Sequence, residues 1–445
     1  MKKRVLEIMK CPYCGNNLEI KAIHKEESGE IITGYLKCEC GEYPILEGIL
    51  ILKNSPMKKY IMEYFKKGEI EKATVLPFGD YTNDICRLID FIGQGPFEKF
   101  LKKSSFYFVS RFFKKRYRKY SDKSTPFCKI LGNSSYEKYL QYRFSAETLW
   151  SVYPFIPLLK KSKKRILDIG CGMGHASFII SAYVEPEELV CVDHNFKSLY
   201  LAKKYFVRDA QFICLNANYP LPFKNDIFDS VFMLDTFHYI QTRAQLANEL
   251  KRVHSPQGLL LLLHLHNFLT SNMGVDYPLT PQAWINLFKG NNLKIKAIPE
   301  RRIMEDFLLN NELDLTEEYS GKELNASNAI SIIGTQDKSL FGVYDKVDSD
   351  FLSNKNNLVI NLIYKINSRK DKVILKRDFP SDLLRTEYPF TERYLPEEIV
   401  INAELAQVLS GRNVNMSSTK ISEKIGDVED LMRQFVIINV PEMYL

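Results

Sequence analysis

The 445-residue chain is too long for one ordinary hydrophobic core, so its length predicts two or three domains. Its hydrophobic content of 45% excludes a disordered chain, and its formal net charge of +7 permits an anionic partner without requiring one. The most apolar run, Leu259–Leu263, is far shorter than the ~20 residues of a transmembrane helix, and the first residues lack the apolar core of a signal peptide, so we expect a cytoplasmic protein.

Four of the nine cysteines lie within residues 1–54. Cys11 and Cys14 form a Cys-x-x-Cys pair, and Cys38 and Cys40 form a Cys-x-Cys pair after 23 intervening residues. An odd number of cysteines in a long chain without a secretion signal favours a metal site and free thiols over disulfides. Four thiolates can enclose one tetrahedral Zn²⁺, and a unit this small needs such a crosslink.

The residues after these cysteines support a resemblance to a known zinc-binding unit. Tyr43-Pro44-Ile45 and Gly48-Ile49 follow the second pair, and residues 5–54 resemble the zinc-ribbon domain of tRNA methyltransferase activator proteins. The resemblance implies a structural zinc ion on the four cysteines. The alternative is a ribbon that has lost its metal and keeps free thiols.

Residues 55–160 carry few strand signals and predict a mostly helical region. Within it, Glu98–Lys123 contains ten Lys or Arg residues against two acids, interleaved with aromatic residues. Such a segment could follow phosphates while its aromatic rings stack on bases. It equally fits a helix with a buried aromatic face and a solvated basic face, or a helix that lies against a membrane or an acidic partner.

From residue 164 onwards, short apolar runs alternate with helix-like segments. The predicted strands are Arg165–Ile169, Leu189–Val192, Gln211–Leu215, Ser230–Leu234 and Leu259–Leu265, with Leu293–Ile298 and Ala329–Gly334 as candidate last strands. The predicted helices are 175–183, 197–206, 241–253 and Pro281–Gly290. Buried strands joined by helical crossovers predict an α/β fold with a Rossmann-like, doubly wound, mostly parallel sheet.

A glycine-rich loop joins the first of these strands to the first helix, in Asp168-Ile169-Gly170-Cys171-Gly172-Met173-Gly174. Alternate glycines let the backbone turn sharply and approach a ligand, although a tight strand–helix turn alone would also explain them. Asp193 ends the next strand 23 residues after Gly170, which is close to the spacing expected of an acid that accepts ribose hydroxyls. Asn216 follows the third strand, where an amide can pair with an adenine edge.

The order of these motifs resembles small class I S-adenosylmethionine-dependent methyltransferases over about residues 165–265. By that resemblance, the glycine loop surrounds the methionine part of the cofactor, Asp193 the ribose, and Asn216 with Ala217 the adenine. The full set of cofactor-binding residues that we expect is Asp168, Gly170, Cys171, Gly172, Gly174, Asp193, His194, Asn216, Ala217 and Asp235.

Three positions bear on this resemblance. Asn216 stands where the family often has Asp, and Gln257 replaces the first Gly of a Pro-Gly-Gly turn. The competing interpretation is an NAD-binding Rossmann unit, which would usually have a third glycine at position 175, where this chain has His. The motif series therefore favours the methyltransferase.

Methyl transfer from a sulfonium is an in-line displacement, so the protein mainly positions the acceptor and removes its proton when necessary. Reacting groups in such sheets lie at the carboxyl ends of strands, which here carry His238, His264 and His266. His238 is our first candidate for a general base, followed by His264 or His266, since the unperturbed pKa of histidine is near neutrality. Each could instead only pack or bind substrate.

Two absences narrow the acceptor. No Asn-Pro-Pro-Tyr or Asp-Pro-Pro-Tyr motif follows the fourth strand, which disfavours methylation of an exocyclic base nitrogen through that motif. No cysteine follows Cys214, so these strands cannot supply the nucleophile of 5-methylcytosine chemistry. Oxygen, or a ring or amine nitrogen, remains.

The pattern after residue 345 suggests a hairpin around Ser368–Lys372 and then helices that end in 427–440. We therefore expect four parts: a zinc ribbon at 1–54, a helical substrate or lid region at 55–160, a methyltransferase domain at 161–345 and an α+β accessory region at 346–445.

Three functions stay open. The leading one is a methyltransferase that acts on a small molecule or a peptide-type natural product. The second is an RNA methyltransferase that grips its substrate with the ribbon and the basic helix, because similar ribbons are fused to a class I group that methylates a guanine ring nitrogen in ribosomal RNA. The third is a non-catalytic, cofactor-binding adaptor whose ribbon recruits a partner protein.

Overall fold

A computed structural model describes residues 1–79, 111, 113–161, 165–270, 276–290, 293–345, 357–369, 372–387, 391–410 and 425–445. Cys86, residues 98–110 and 112 of the basic segment and the tip of the predicted hairpin fall outside the described residues.

The strands are named in chain order. They are β1 Glu19–Glu27, β2 Glu30–Cys38, β3 Gly41–Leu46, β4 Ile49–Ile51, β5 Ile166–Ile169, β6 Leu189–Asp193, β7 Gln211–Cys214, β8 Phe228–Leu234, β9 His254–His266, β10 Lys294–Pro299, β11 Glu312–Asp314, β12 Ala329–Thr335, β13 Val343–Asp345, β14 Asn357–Ile360, β15 Tyr364–Arg369, β16 Lys372–Arg377, β17 Glu398–Asn402 and β18 Ile437–Val440.

Among the described residues, one sheet of eleven strands dominates the fold, in the spatial order β1-β2-β3-β4-β7-β6-β5-β8-β9-β12-β10. Every neighbouring pair from β4 to β9 is parallel, whereas the pairs outside this block are antiparallel. The predicted Rossmann-like sheet is therefore confirmed. Its two candidate last strands, β10 and β12, do belong to it.

The side chains of β9 alternate between two hydrophobic cores. Leu259, Leu261 and Leu263 belong to one core, and Leu260 and Leu262 belong to the other. Consecutive side chains of a strand point to opposite faces, so an unbroken run of buried leucines means that both faces are covered. Burying each side chain contributes roughly 1.5–3 kcal/mol.

Helices cover both faces of the parallel block. Those at His175–Ser181 and Phe196–Leu201 contribute to one core, and the one at Arg243–Val253 contributes to the other. Further helices in this half of the chain are Pro281–Asn286, Glu300–Asn310 and Gly321–Ala326. The helix predicted at Pro281–Gly290 thus ends earlier, at Asn286.

The N-terminal unit extends the same sheet. Its last strand, β4, pairs in parallel with β7 through Leu50↔Ile213 and Ile51↔Cys214. The backbone N–H groups of Leu52 and Lys53 then both donate to the Cys214 carbonyl oxygen, at 2.9 and 3.0 Å. Strands β1 to β4 are therefore joined to the parallel block through β7.

The described part of 55–160 contains helices and no strand, as the sequence predicted. The α-helices are Pro56–Lys66, Ile70–Val75, Phe127–Ile130, Ser135–Gln141, Glu147–Trp150 and Ile156–Leu159. In the described part of the basic segment, Phe113 and Tyr120 are 1% and 7% exposed, whereas Lys114, Lys115 and Arg118 are exposed. This arrangement matches the amphipathic interpretation, with buried rings and a solvated basic face.

The C-terminal region is mixed α+β. β15 and β16 form the predicted hairpin with β17 beside them, β14 pairs with β18, and the helices are Asp382–Glu387, Thr391–Tyr394, Ala403–Ser410 and Ile425–Arg433. The prediction of helix up to residue 440 is wrong. The helix ends at Arg433, because Ile437 to Val440 are mostly β-branched, buried residues that pair with β14. Within the described part of the chain, no helix is both long and apolar enough to cross a membrane.

Candidate functional site

The glycine loop after β5 makes a turn that other residues would resist. Gly170 has a φ of 74°, and a Cβ at this position would lie 2.2 Å from the Thr236 side chain. Gly172 has a φ of 53°, and its N–H donates to a carboxylate oxygen of Asp193 at 3.0 Å. The loop is thereby held against the ends of both β6 and β8, which leaves its outer face towards a cavity.

Asp168 lies beneath this loop and is 1% exposed. Its Oδ2 accepts a hydrogen bond from the Ser177 hydroxyl at 2.5 Å. Burial raises the pKa of Asp168 to about 7, although the Ser177 hydrogen bond opposes the shift. A buried carboxylate of this kind gains most from a cationic neighbour.

Asp193 connects the glycine loop to the start of the next helix. One carboxylate oxygen accepts from Gly172, and the other accepts from the Asn195 N–H at 2.8 Å. The adjacent His194 side chain is 71% exposed, with its Nδ1 3.4 Å from Asp193 Oδ1. Sequence spacing alone thus located a carboxylate that contacts the loop.

Asn216 shapes the turn after β7. Its side-chain oxygen accepts from both the backbone N–H and the Nδ2 of Asn218, each at 3.0 Å. The Asn218 side-chain oxygen in turn accepts from the Gln241 and Thr242 N–H groups. Asn216 and its half-buried neighbour Ala217 therefore lie in a well-ordered loop beside the sheet.

A cavity of about 1310 Å³ opens where β5, β8 and β9 end. Of the cofactor residues expected from sequence, those that line it are Asp168, Gly170, Cys171, Gly172 and Asp235, and those that do not are Gly174, Asp193, His194, Asn216 and Ala217. The cavity therefore contacts the first part of the glycine loop and Asp235, but not Gly174 or the residues at the ends of β6 and β7.

Asp235 occupies a corner of this cavity in a left-handed conformation with a φ of 53°. Its Oδ2 is 3.3 Å from Arg143 Nη2, and its Oδ1 is 3.4 Å from His238 Nε2. Burial would raise the pKa of Asp235, but the charges of His264 and Arg143 outweigh burial and hold it below the usual value. Non-glycine residues in this conformation cluster at functional sites.

His238, the first candidate base, is fully buried and is not part of the cavity lining. Its ring stacks on that of His266, with centroids 3.8 Å apart and planes 9° apart. Burial, reinforced by His266, lowers the pKa of His238 to about 3. His238 therefore does not contact the cavity itself, whereas its neighbours Asp235 and His266 do.

His264, the second candidate, lines the cavity and has a φ of 55°. Its Nδ1 lies 2.6 Å from Glu300 Oε2. Burial opposes the charged form of His264, but the Glu300 carboxylate outweighs burial and raises its pKa to about 9. His266 also lines the cavity, and its Nδ1 is hydrogen-bonded to Asp276.

Other parts of the chain supply cavity walls that sequence reasoning missed. Tyr139 and Arg143 come from the helical region, and the Arg143 guanidinium lies 4.9 Å from the centre of the Tyr139 ring. Glu300 begins the helix after β10, and Arg393 comes from the C-terminal region. No local pattern distinguishes Arg143 from the other basic residues nearby; tertiary packing alone brings it to Asp235.

The four N-terminal cysteines form a second cluster, and their Sγ atoms all lie within 4.8 Å of one another. The separations include 3.4 Å for Cys11–Cys40, 3.8 Å for Cys14–Cys38 and 3.4 Å for Cys38–Cys40. Tetrahedral Zn²⁺ with bonds of ~2.3 Å needs sulfur atoms ~3.8 Å apart. The tighter Cys-x-Cys pair therefore does not prevent all four sulfurs from converging.

Part of this chain is similar to a known protein family. Residues 167–262 match the family model described as a methyltransferase domain. A malonyl-(acyl-carrier protein) O-methyltransferase of Legionella pneumophila is 30% identical over 108 residues, which is 24% of this chain and 38% of that protein. The chain thus spans well under half of this relative's length.

A ubiquinone/menaquinone biosynthesis C-methyltransferase, UbiE, of Wigglesworthia glossinidia brevipalpis is 26% identical over 41% of this chain and 78% of that protein. Among solved structures, a chain from a complex that contains the Haloferax volcanii Trm112 methyltransferase activator is 13% identical, over 44% of this chain and 93% of that chain, with a TM-score of 0.33. Residues 167–262 are therefore a methyltransferase domain of the class I, S-adenosylmethionine-dependent type.

Proposed function

We propose that the whole chain is an S-adenosylmethionine-dependent methyltransferase that binds donor and acceptor in the single cavity beside Asp168 and Asp235. The observation that carries this proposal is that the glycine loop and the Asp235 corner line the same cavity. Its volume of about 1310 Å³ exceeds the roughly 300–1,000 Å³ typical of a site for one drug-sized ligand. It therefore has room for a donor and an acceptor together.

The donor would lie with its methionine part against Asp168 and the glycine loop. Asp193 would accept the ribose hydroxyls, because a carboxylate has about four lone-pair positions and backbone N–H groups use two of them here. The Nδ2 of Asn216 and the backbone of Ala217 would contact adenine, with His194 beside them, and Gly174 would stay with the glycine loop around the methionine part. In this arrangement the adenosine extends from the cavity along the sheet edge.

We propose an oxygen or nitrogen of a small molecule or a peptide-type natural product as the acceptor. The helical region and the C-terminal region both contribute cavity walls, through Tyr139, Arg143 and Arg393, which fits a substrate that is enclosed. The described aromatic residues of the basic segment are largely buried, so they favour packing over base stacking. This observation ranks the RNA methyltransferase second.

We also propose that the four-cysteine cluster holds a structural Zn²⁺, as part of a ribbon that braces the methyltransferase domain or contacts a partner protein. The convergence of the four sulfurs supports this assignment, and four protein ligands leave no open position for catalysis. A thiolate site of this kind suits a reducing compartment such as the cytoplasm.

Isotope labelling tests the activity and the acceptor class together. The full chain is incubated with S-adenosylmethionine carrying a deuterated methyl group, and with separate small-molecule and RNA fractions of a cell extract. We expect the label in a small molecule. Label in RNA instead would support the RNA methyltransferase, and donor binding without transfer to either fraction would support the adaptor.

Gly170→Val provides the matched negative control, because its Cβ would collide with Thr236 and it needs a positive φ. Gly342→Ala is the permissive control, since a Cβ there meets nothing within 4 Å. Transfer that survives in Gly170→Val would contradict the use of this loop.

A further inference from the structure

A cluster of one carboxylate and two histidines lies where β8 and β9 end. One ligand atom from each of Asp235, His238 and His266 lies within 4.8 Å of the other two. Asp235 and His266 line the cavity, and His238 lies directly behind them. Apart from the four cysteines, this is the one such His, Cys and carboxylate group among the residues that the structure describes.

The ring of His238 is fully buried and poorly satisfied. Its nitrogens make no well-aligned hydrogen bond among the described residues, although the His264 backbone and the Asp235 carboxylate approach them. Its Nε2 points to Asp235, 3.4 Å from Oδ1. Burying a poorly paired polar group costs free energy, and a ligand on Nε2 would reduce that cost.

His266 is held in the orientation that a metal ligand needs. Its Nδ1 is hydrogen-bonded to Asp276, so Nε2 is left to face Asp235 Oδ1 at 4.0 Å. Its backbone is held as well, because the Trp284 indole N–H donates to the His266 carbonyl oxygen at 3.0 Å. A carboxylate behind a histidine is the common second contact of metal-binding histidines.

The surrounding charges also favour a cation. Three carboxylates, of Asp235, Asp276 and Glu300, lie around the cluster, where Arg143 pairs with Asp235 and His264 with Glu300. Arg143 contacts Oδ2 of Asp235, which leaves Oδ1 on the side of the two histidines. His264 is bound to Glu300. An added cation would therefore meet Oδ1 and two ring nitrogens without displacing either ion pair.

We propose that Asp235, His238 and His266 bind one divalent transition-metal ion. Two imidazoles and one carboxylate suit Fe²⁺, Mn²⁺ or Zn²⁺. Ligand atoms around such an ion lie roughly 3.0–3.4 Å apart for bonds of ~2.1 Å, so the 3.4 and 4.0 Å separations need to close by less than an ångström. The two rings are nearly parallel, so they must also splay apart substantially before both in-plane lone pairs can meet at one ion.

Three protein ligands leave at least one position open, and it faces the cavity because Asp235 and His266 line it. An acceptor oxygen at that position would be positioned and made more acidic by the ion. This role rests on the proposed function, but metal binding itself does not.

Manganese separates this site from the cysteine cluster, because Mn²⁺ prefers oxygen and nitrogen to thiolate. The metal content of the full chain as purified is measured by mass spectrometry, and MnCl₂ is then titrated while free Mn²⁺ is followed by electron paramagnetic resonance. We expect one ion per chain beyond those of the cysteine cluster, either already present or taken up as Mn²⁺.

His238→Ala and Asp235→Asn should each weaken this binding at least tenfold, whereas His24→Ala, at an exposed histidine outside both clusters, should leave it unchanged. Cys14→Ser should also retain it. Circular dichroism and binding of S-adenosylhomocysteine to His238→Ala show whether the variant is folded.

No ion at this site in the wild type, or equal binding by His238→Ala and His24→Ala, would overturn the proposal. The proposed function fails on a different readout, namely if the wild type does not bind S-adenosylhomocysteine.

Discussion

At the level of one residue, the raised pKa of Asp168 predicts that cofactor binding depends on pH. Burial raises its pKa to about 7, so the carboxylate becomes protonated as the pH falls below neutrality. A cationic donor requires the charged form. We therefore expect the Kd for S-adenosylmethionine to rise about tenfold from pH 8 to pH 6, as measured by calorimetry, because each pH unit below the pKa costs a further factor of ~10.

Asp168→Asn keeps an acceptor for Ser177 but cannot ionise, so its weaker binding should not vary over this range. The stability of the unliganded protein should have the opposite pH dependence to cofactor binding. A carboxyl group whose pKa is raised on folding destabilises the unliganded protein as the pH rises from about 4 to 7, so Asp168→Asn should raise the Tm at pH 8. Asp209→Asn, at an exposed acid, is the matched control. The same pH dependence in Asp168→Asn would show that another group is responsible.

Among the site residues, the sequence predicted those at the ends of strands and missed those that reach the site only through tertiary packing. Asp168, Asp193 and Asp235 lie at or just after the ends of β5, β6 and β8, which are neighbours in the sheet, and the carboxyl ends of parallel strands meet at one edge. Arg143 and Glu300 contact Asp235 and His264 from helices far away in the chain. Strand periodicity carries no information about such contacts, so they could not be predicted.

At the scale of elements, the apolar runs predicted the parallel strands because both faces of the sheet are covered. The same reasoning failed at Ile437–Val440, where a short buried segment can be a strand or a helix end and only its pairing with β14 decides. The pairing of β4 with β7 could not be predicted from the sequence either, since the three apolar residues of β4 carry no signal for the strand they pair with.

The pairing of β4 with β7 predicts that loss of the cysteine cluster destabilises the sheet as well as the N-terminal unit. Cys14→Ser should release about one Zn²⁺ per chain, measured by mass spectrometry, and lower the Tm by about 10 °C, which corresponds to ~3 kcal/mol for a domain of ~200 residues. The loss should spread to the sheet, because β4 is hydrogen-bonded to β7 through Leu50 and Ile51.

Cys128→Ser is the matched control, since this half-buried cysteine lies outside the cluster. A wild type without zinc, or a Cys14→Ser variant as stable as Cys128→Ser, would contradict the structural role of the metal.

At the scale of the whole molecule, the C-terminal region holds one wall of the cavity. Phe435 stacks on Trp150, with ring centroids 4.1 Å apart and planes 11° apart. The Tyr444 hydroxyl contacts the carbonyl oxygens of Leu140 and Gln141, each at 3.0 Å. The helices that carry Tyr139 and Arg143 are therefore tied to residues 435–444, whereas the glycine loop is hydrogen-bonded to β6 and to Thr236 after β8.

We therefore expect Phe435→Ala to destabilise the helices that carry Tyr139 and Arg143 and to leave the glycine loop unchanged. Deleting a buried phenylalanine costs about 3–5 kcal/mol. In hydrogen-exchange mass spectrometry we expect residues 135–159 to lose protection at least tenfold while β5, β6 and β8 keep theirs, since the Phe435 ring contacts Trp150 and Tyr153 in this region. Phe268→Ala, at a ring that is 66% exposed, should change neither region. Unaltered protection of 135–159 in Phe435→Ala would mean that the wall stands without the C-terminal region, and the substrate enclosure that we infer would then belong to the helices alone.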